Sequence, residues 1–176
     1  GSRSQSARLH TMSPQRVSRV QVLLLMVGLV VLQFYVRPRL GNARVSPDFL
    51  LIALMLFAMR SGAGAGALAG FFVGMIEDAL TPARFGAGAL AHTLVGYFAA
   101  WGRSVFFADN AVVNAGFVAV GLWFRDLIVL VTSGTGRSEL ITELTLYSPL
   151  QALTTAGFAL LVLITVRSWF SIRLDA

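Results

Sequence analysis

Glu77, Asp78, Arg125 and Asp126 are ionisable side chains set inside long apolar runs, and His92 sits in another such run. Groups of this kind are costly in lipid and mark ligand sites, proton pathways or ion pairs. Their spacing limits the choice. Glu77 lies fourteen residues beyond Ala63, and Arg125 lies fourteen beyond Ala111. Both therefore stand about 21 Å up two helices that run the same way. His92 is about 10 Å down the returning span between them, and Gln151 and Thr154 open the last span near that level. Groups at one depth suit an ion pair, or a partner- or ligand-binding cluster, better than a relay across the membrane. A carboxylate at a helix C-terminus opposes the helix dipole and needs a compensating charge. Arg125, which keeps its proton, is the best candidate. Asp78 is the expected partner of Arg125, and Glu77, one step round the helix, is expected to face the following loop and Arg84.

Other chemistry has little support. The chain has no cysteine and all fourteen of its basic residues are arginine, so thiolate and lysine chemistry are excluded. Ser104, Ser133 and Ser148 lack a nucleophile-elbow setting. The Gly62–Gly66 run lacks the lysine and preceding strand of a phosphate loop. His92 has no second histidine or cysteine at ligand spacing. Adjacent Glu77 and Asp78 have no cleft to make them a glycosidase pair. No catalytic residue, cofactor or metal is expected. The arginines are scattered between apolar runs, which reads as interfacial anchoring and contact with membrane lipids rather than nucleic-acid binding.

The elements that must position these residues follow from periodicity. Gly62, Gly66, Gly70 and Gly74 recur at a four-residue step, and the next step lands on Asp78. Residues so spaced share one helix face. In lipid, small residues let helices approach closely. The stripe predicts packing against the following span, which offers Gly88, His92, Gly96 and Ala100 at the same step; docking of a foreign helix is the alternative.

Of the 176 residues, 56% are hydrophobic and 12% charged, about half the charge of a soluble protein. The fold predicted is all-α: a polytopic bundle of six transmembrane helices forming a single domain over residues 12–176. Residues 1–11 read as a cloning scar or disordered tail. The spans are expected at Val17–Val36, Pro47 to about Met59, Ala63–Leu80, Phe85–Trp101, Ala111–Thr132 and Ser148–Arg167. The second is short, covering about 20 Å of a roughly 30 Å core, so either protein shields its ends or the bilayer thins. Ser46-Pro47-Asp48 reads as its start, with serine as the cap, proline at the first position and the acid in the first turn. Ser133–Leu146 is a loop whose second half could form an amphipathic interfacial helix. Six spans place both termini on one face. Leaving out Arg3 and Arg8 of the tail and Arg125 inside a span, the arginines divide six to five between the faces, a weak positive-inside signal that slightly favours cytoplasmic termini.

Several segments together carry a resemblance: Pro47-Asp48-Phe49-Leu50-Leu51, the Arg60–Gly62 turn, Gly70-Phe71-Phe72-Val73-Gly74-Met75-Ile76-Glu77-Asp78-Ala79-Leu80, and Phe85-Gly86. Over about residues 45–100 the chain resembles the MreD family of rod shape-determining proteins. The resemblance implies a non-catalytic scaffold of the bacterial inner membrane with a fold similar to the S components of energy-coupling-factor transporters. It implies association with an MreC-like bitopic partner. Through that partner it implies links to a RodA-type glycosyltransferase, a class B penicillin-binding protein and MreB filaments. Asp78 falls on the family's acidic position. The expected partner surface is the extracytoplasmic end near Asp78, Arg84 and Leu140, Ile141 and Leu144. The rival reading is a small-molecule-binding transporter subunit with its pocket at the same end.

Overall fold

A computed structural model describes residues 19–81, 85–106 and 111–171, and they are helical throughout apart from short connections. Among them there is no strand. The helices are α1 (Arg19–Tyr35), α2 (Phe49–Ser61), α3 (Ala63–Leu80), α4 (Ala87–Phe106), α5 (Ala111–Thr132), α6 (Arg137–Thr142) and α7 (Ser148–Ser171). A 3-10 turn, Arg37–Leu40, follows α1, and a π-turn, Glu143–Tyr147, joins α6 to α7. Ala63–Leu80, Ala111–Thr132 and the continuous run Arg137–Thr165 are long and apolar enough to cross a membrane, and Leu23–Tyr35 and Phe49–Ser61 are shorter apolar helices.

The short second helix is the centre of the bundle. It packs against α1, α3, α4, α5 and α7. Phe49 to Met55 are buried without interruption, although sequential residues point all round a helix, and Ala58 is buried one turn further on. Phe49 meets Phe158 of α7 edge to face at 4.7 Å. Protein therefore shields the first two turns of α2 on every side, while Phe57, Arg60 and Ser61 near its end are exposed.

Glycine sets how α3 meets α4. The two are antiparallel and their backbones touch: a Cβ on Gly70 would collide with the carbonyl of His92, one on Gly74 with that of Gly88, and one on Gly66 would lie 2.5 Å from that of Gly96. Gly88 and Gly96 are as tight from the other side, against Asp78 and the Gly66 carbonyl. Gly62 differs. No atom lies within 4 Å of where its Cβ would be, and its φ of 99° makes it the reversal between α2 and α3. Its place in the stripe is corrected: it turns the chain, and nothing crowds the position of its Cβ as happens at Gly66, Gly70 and Gly74.

Two boundaries also change. Asp48, not Ser46, is the cap of α2, because its carboxylate accepts from the Leu51 amide at 2.9 Å. Ser46 donates instead to the Asn42 carbonyl, 2.7 Å away. The amphipathic segment expected as a separate interfacial helix is continuous with α7 through the π-turn. Trp123 of α5 donates its indole N–H to the Leu144 carbonyl of that turn at 3.2 Å.

Candidate functional site

The C-termini of α3 and α5 meet the N-termini of α2, α4 and α7 at one end of the bundle, here called the polar end. A helix start leaves four backbone N–H groups without intrahelical partners, and in lipid no water makes up the loss. At α2 every one is satisfied. Gln33 of α1 accepts from the Phe49 and Leu50 amides at 3.0 and 3.4 Å. Asp48 takes the Leu51 amide through its side chain and the Ile52 amide, 3.2 Å away, through its carbonyl. The Asp48 amide donates to Thr155 of α7 at 3.1 Å. Gln151 and Thr154, also on α7, donate to the carbonyls of Ser46 and Val45.

The second oxygen of Asp48 receives Arg125. This buried guanidinium is the hub of the site: Nη1 pairs with Asp48, while Nε and Nη2 donate to one oxygen of Asp126 at 2.9 and 2.7 Å. The other Asp126 oxygen accepts the hydroxyl of Ser148, the first residue of α7. Glu77 stands 3.9 Å from Nη1. Arg125 thus joins the start of α2 to α3, α5 and α7, and its charge is delocalised and permanent.

His92 completes the cluster from α4. It is fully buried, its Nδ1 lies 2.9 Å from the Gly88 carbonyl, and its Nε2 is 3.5 Å from Glu77 Oε2. Asp48, Glu77 and His92 each bring one donor atom to within 4.8 Å of the others. A metal could in principle use that spacing. Here the guanidinium of Arg125 already sits on Asp48 as the resident cation, and a divalent ion a few ångströms away would be repelled by it.

Asp78 is elsewhere. Its two carboxylate oxygens accept the amides of Gly86, Gly88 and Ala89, each at 2.9 Å. A carboxylate at the end of α3 therefore caps the start of antiparallel α4, and the favourable N-terminal dipole of α4 compensates the unfavourable end of α3. This corrects the Asp78–Arg125 pair. The glycine face turns towards α4, so a side chain on that face meets α4 and not α5. Glu77 is corrected too: it turns inward to His92 and Arg125. Arg84 lies outside the described residues. Asp78 is also 4% exposed, so it is not available as a partner-binding residue.

The structure thus brings Glu77, His92, Arg125 and Asp126 together and adds Asp48, which the sequence marks only as a helix-start acid. It also adds Gln33 and Thr155, which belong to no motif. The one signal at Gln33 is that it is the only amide in the second half of an apolar run. Beside the cluster a cleft of about 130 Å³ is lined by Arg44, Asp126, Glu143, Tyr147, Ser148 and Gln151 among others. Arg44 pairs with Glu143 at 3.0 Å and lies over the Tyr147 ring. Leu140 and Leu144 are half-buried on the neighbouring helical segment, and Ile141 and Leu146 are exposed.

Apolar helices, a backbone-to-backbone glycine interface and an ionic knot confined to one end define a multi-pass helical membrane protein whose polar residues are spent on holding helices together. Comparison narrows the class. A family model described as rod shape-determining protein MreD matches residues 15–170, and the chain belongs to that family. Its role is accordingly in rod shape determination. No curated protein and no solved structure matches the chain.

Proposed function

We propose that the chain is a non-catalytic scaffold of the bacterial inner membrane that binds an MreC-like bitopic partner. Through it the chain supports the peptidoglycan synthase of the elongation machinery, a RodA-type glycosyltransferase with a class B penicillin-binding protein, and links to cytoplasmic MreB filaments. Family membership over nearly the whole chain is the observation that carries this reading. With its termini in the cytoplasm, the polar end would face outward, where a bitopic partner leaves the bilayer.

The geometry supports a particular contact surface. The glycine stripe is consumed by α4, which leaves no room on that face for a foreign helix. At the polar end, exposed Ile141 and Leu146 lie along the helix that also carries Glu143 and Tyr147 of the cleft. An apolar ridge beside a polar notch suits a helix that emerges into a polar juxtamembrane segment.

Native mass spectrometry of the chain co-expressed with its MreC-like neighbour tests the reading. A defined hetero-complex is expected, weakened by I141E together with L146E while the free chain keeps its thermal stability. A lone chain carrying a stoichiometric small molecule would overturn it.

A further inference from the structure

The hydrogen bonds around His92 leave a place for one positive charge. The Gly88 carbonyl can only accept, so the Nδ1 facing it at 2.9 Å carries a hydrogen. In a neutral imidazole Nε2 is then a bare lone pair. That lone pair faces Glu77 Oε2 at 3.5 Å, and neither Nε2 nor Glu77 Oε1 has a hydrogen-bond partner. Two acceptors facing each other at a fully buried imidazole is an arrangement a proton resolves.

Charge counting points the same way. Asp48 comes from the start of α2, Glu77 from α3, and Asp126 from α5, each negative. Arg125 of α5 is positive, and Arg37, beyond the end of α1, is a second cation whose field reaches both Asp48 and Glu77. The groups α7 turns to the cluster, Ser148 and Thr155, are neutral. Arg44 and Glu143, which line the cleft beside Asp126, pair with each other at 3.0 Å, so one negative charge remains, and a charge largely removed from water is tolerated only when paired. A single proton balances it, whereas a divalent ion would overshoot.

We propose that His92 and Glu77 form a buried binding site for one proton, held between α3 and α4 beside Arg125, which makes closure of the polar end proton-dependent. The proton completes an Nε2–H···O or O–H···Nε2 bond across the pair. When it leaves, the lone pair and the carboxylate repel, and Glu77 and Asp48 compete for the Arg125 guanidinium. The inference concerns the chain's own bundle and does not depend on the partner proposed above.

The test compares wild type with E77Q in detergent. The substituted glutamine is uncharged and can donate an amide hydrogen to Nε2, so it replaces proton and carboxylate together. A proton held by the folded chain and released on unfolding makes stability fall as pH rises, by up to tenfold in the folding equilibrium per pH unit. The thermal midpoint of wild type is expected to fall between pH 7 and pH 9, and that of E77Q to fall less. In parallel, nitrogen-15 imidazole spectra at pH 7, with His10 removed by H10Q, are expected to show Nδ1 protonated and Nε2 protonated or hydrogen-bonded. Infrared spectroscopy would show whether Glu77 holds the proton, by a carboxyl band missing in E77Q. Equal pH slopes, or a bare Nε2 opposite an ionised Glu77, would overturn the proposal. So would one equivalent of a divalent metal in purified wild type that E77Q loses. If E77Q fails to fold, the wild-type spectra decide by themselves.

Discussion

At the α3–α4 interface the backbone itself is the packing surface. At the start of α2 the backbone is unusable until side chains from α1, α5 and α7 reach it. The first region removes side chains, at Gly66, Gly70 and Gly74, so that two helices touch. The second collects them: Gln33, Asp48, Arg125 and Thr155 converge on one helix start. Both answer the same condition, that lipid satisfies no polar group and drives no apolar helices together. A backbone interface has no slack, because neither helix can rotate a carbonyl away. A side-chain knot can lose one contact and redistribute the rest. Substitutions in the two regions should therefore fail differently.

The largest effect is expected at Gly70. Any Cβ there meets the carbonyl oxygen and carbon of His92 and, at 2.9 Å, the Thr93 amide, all backbone atoms. Gly70→Leu should abolish the folded bundle, seen as loss of the monodisperse peak in detergent gel filtration. Even Gly70→Ala should cost more than the roughly 1–3 kcal/mol typical of overpacking. Retention of wild-type stability by Gly70→Ala would show that the helices separate easily and that the comparison is drawn too sharply.

Next comes the hub. Arg125→Leu leaves Asp48, Asp126 and Glu77 together with their shared cation gone. Removing one partner of a buried ionic group costs about 3–5 kcal/mol. Thermal unfolding of Arg125→Leu and Asp48→Asn should show the arginine variant to be the worse. Asp48→Asn keeps an acceptor for Leu51 and leaves Arg125 with Asp126. A double-mutant cycle between positions 48 and 125 should give strong coupling, and additivity would mean that the pair is incidental.

Asp78 belongs to both designs, since it is a side chain used at the glycine interface. Asp78→Ala strands the amides of Gly86, Gly88 and Ala89, a loss of roughly 2–4 kcal/mol from unpaired donors. Asp78→Asn, keeping one acceptor oxygen, should fall between that variant and wild type. Hydrogen exchange should accelerate at the first turn of α4 in Asp78→Ala and leave the α2 start protected. Gln33→Leu should do the converse at a smaller cost, about 1–3 kcal/mol, because one of its two bonds is already long at 3.4 Å.

The glycine interface is legible in the sequence because it is periodic. A four-residue step names a face, and the opposite span repeats the step, so Gly66, Gly70, Gly74, Gly88 and Gly96 can be matched from spacing alone. Depth is legible as well, since rise per residue puts Glu77, His92 and Arg125 on one level. Pairing at that level is not. Asp78 and Glu77 are adjacent, and choosing which one reaches Arg125 requires knowing which side of α3 each neighbour occupies. Periodicity gives a face but not the helix it looks at. The α2 knot is less legible still, because no spacing within one segment predicts that Gln33 will cap a helix that starts sixteen residues later. Gly62 shows the limit from the other side: it keeps the step but stands at φ 99°, outside the helix whose face the step describes.

The smallest expected effect gives the most selective test of a face-based reading. Gly64 and Gly66 lie two residues apart near the start of α3, and alanine has the same gain in helix propensity to offer at each. At Gly66 the new methyl would stand 2.5 Å from the Gly96 carbonyl and 2.9 Å from the Ala58 Cβ; at Gly64 it meets nothing within 4 Å. Gly64 is exposed, on the opposite side of the helix from α4. Gly64→Ala should therefore leave the thermal midpoint unchanged or raise it slightly, within about 0.5 kcal/mol, while Gly66→Ala lowers it. If both are neutral, close approach of α3 and α4 contributes little and the ionic knot alone holds the bundle. If both are damaging, flexibility at the start of α3 matters more than its packing face.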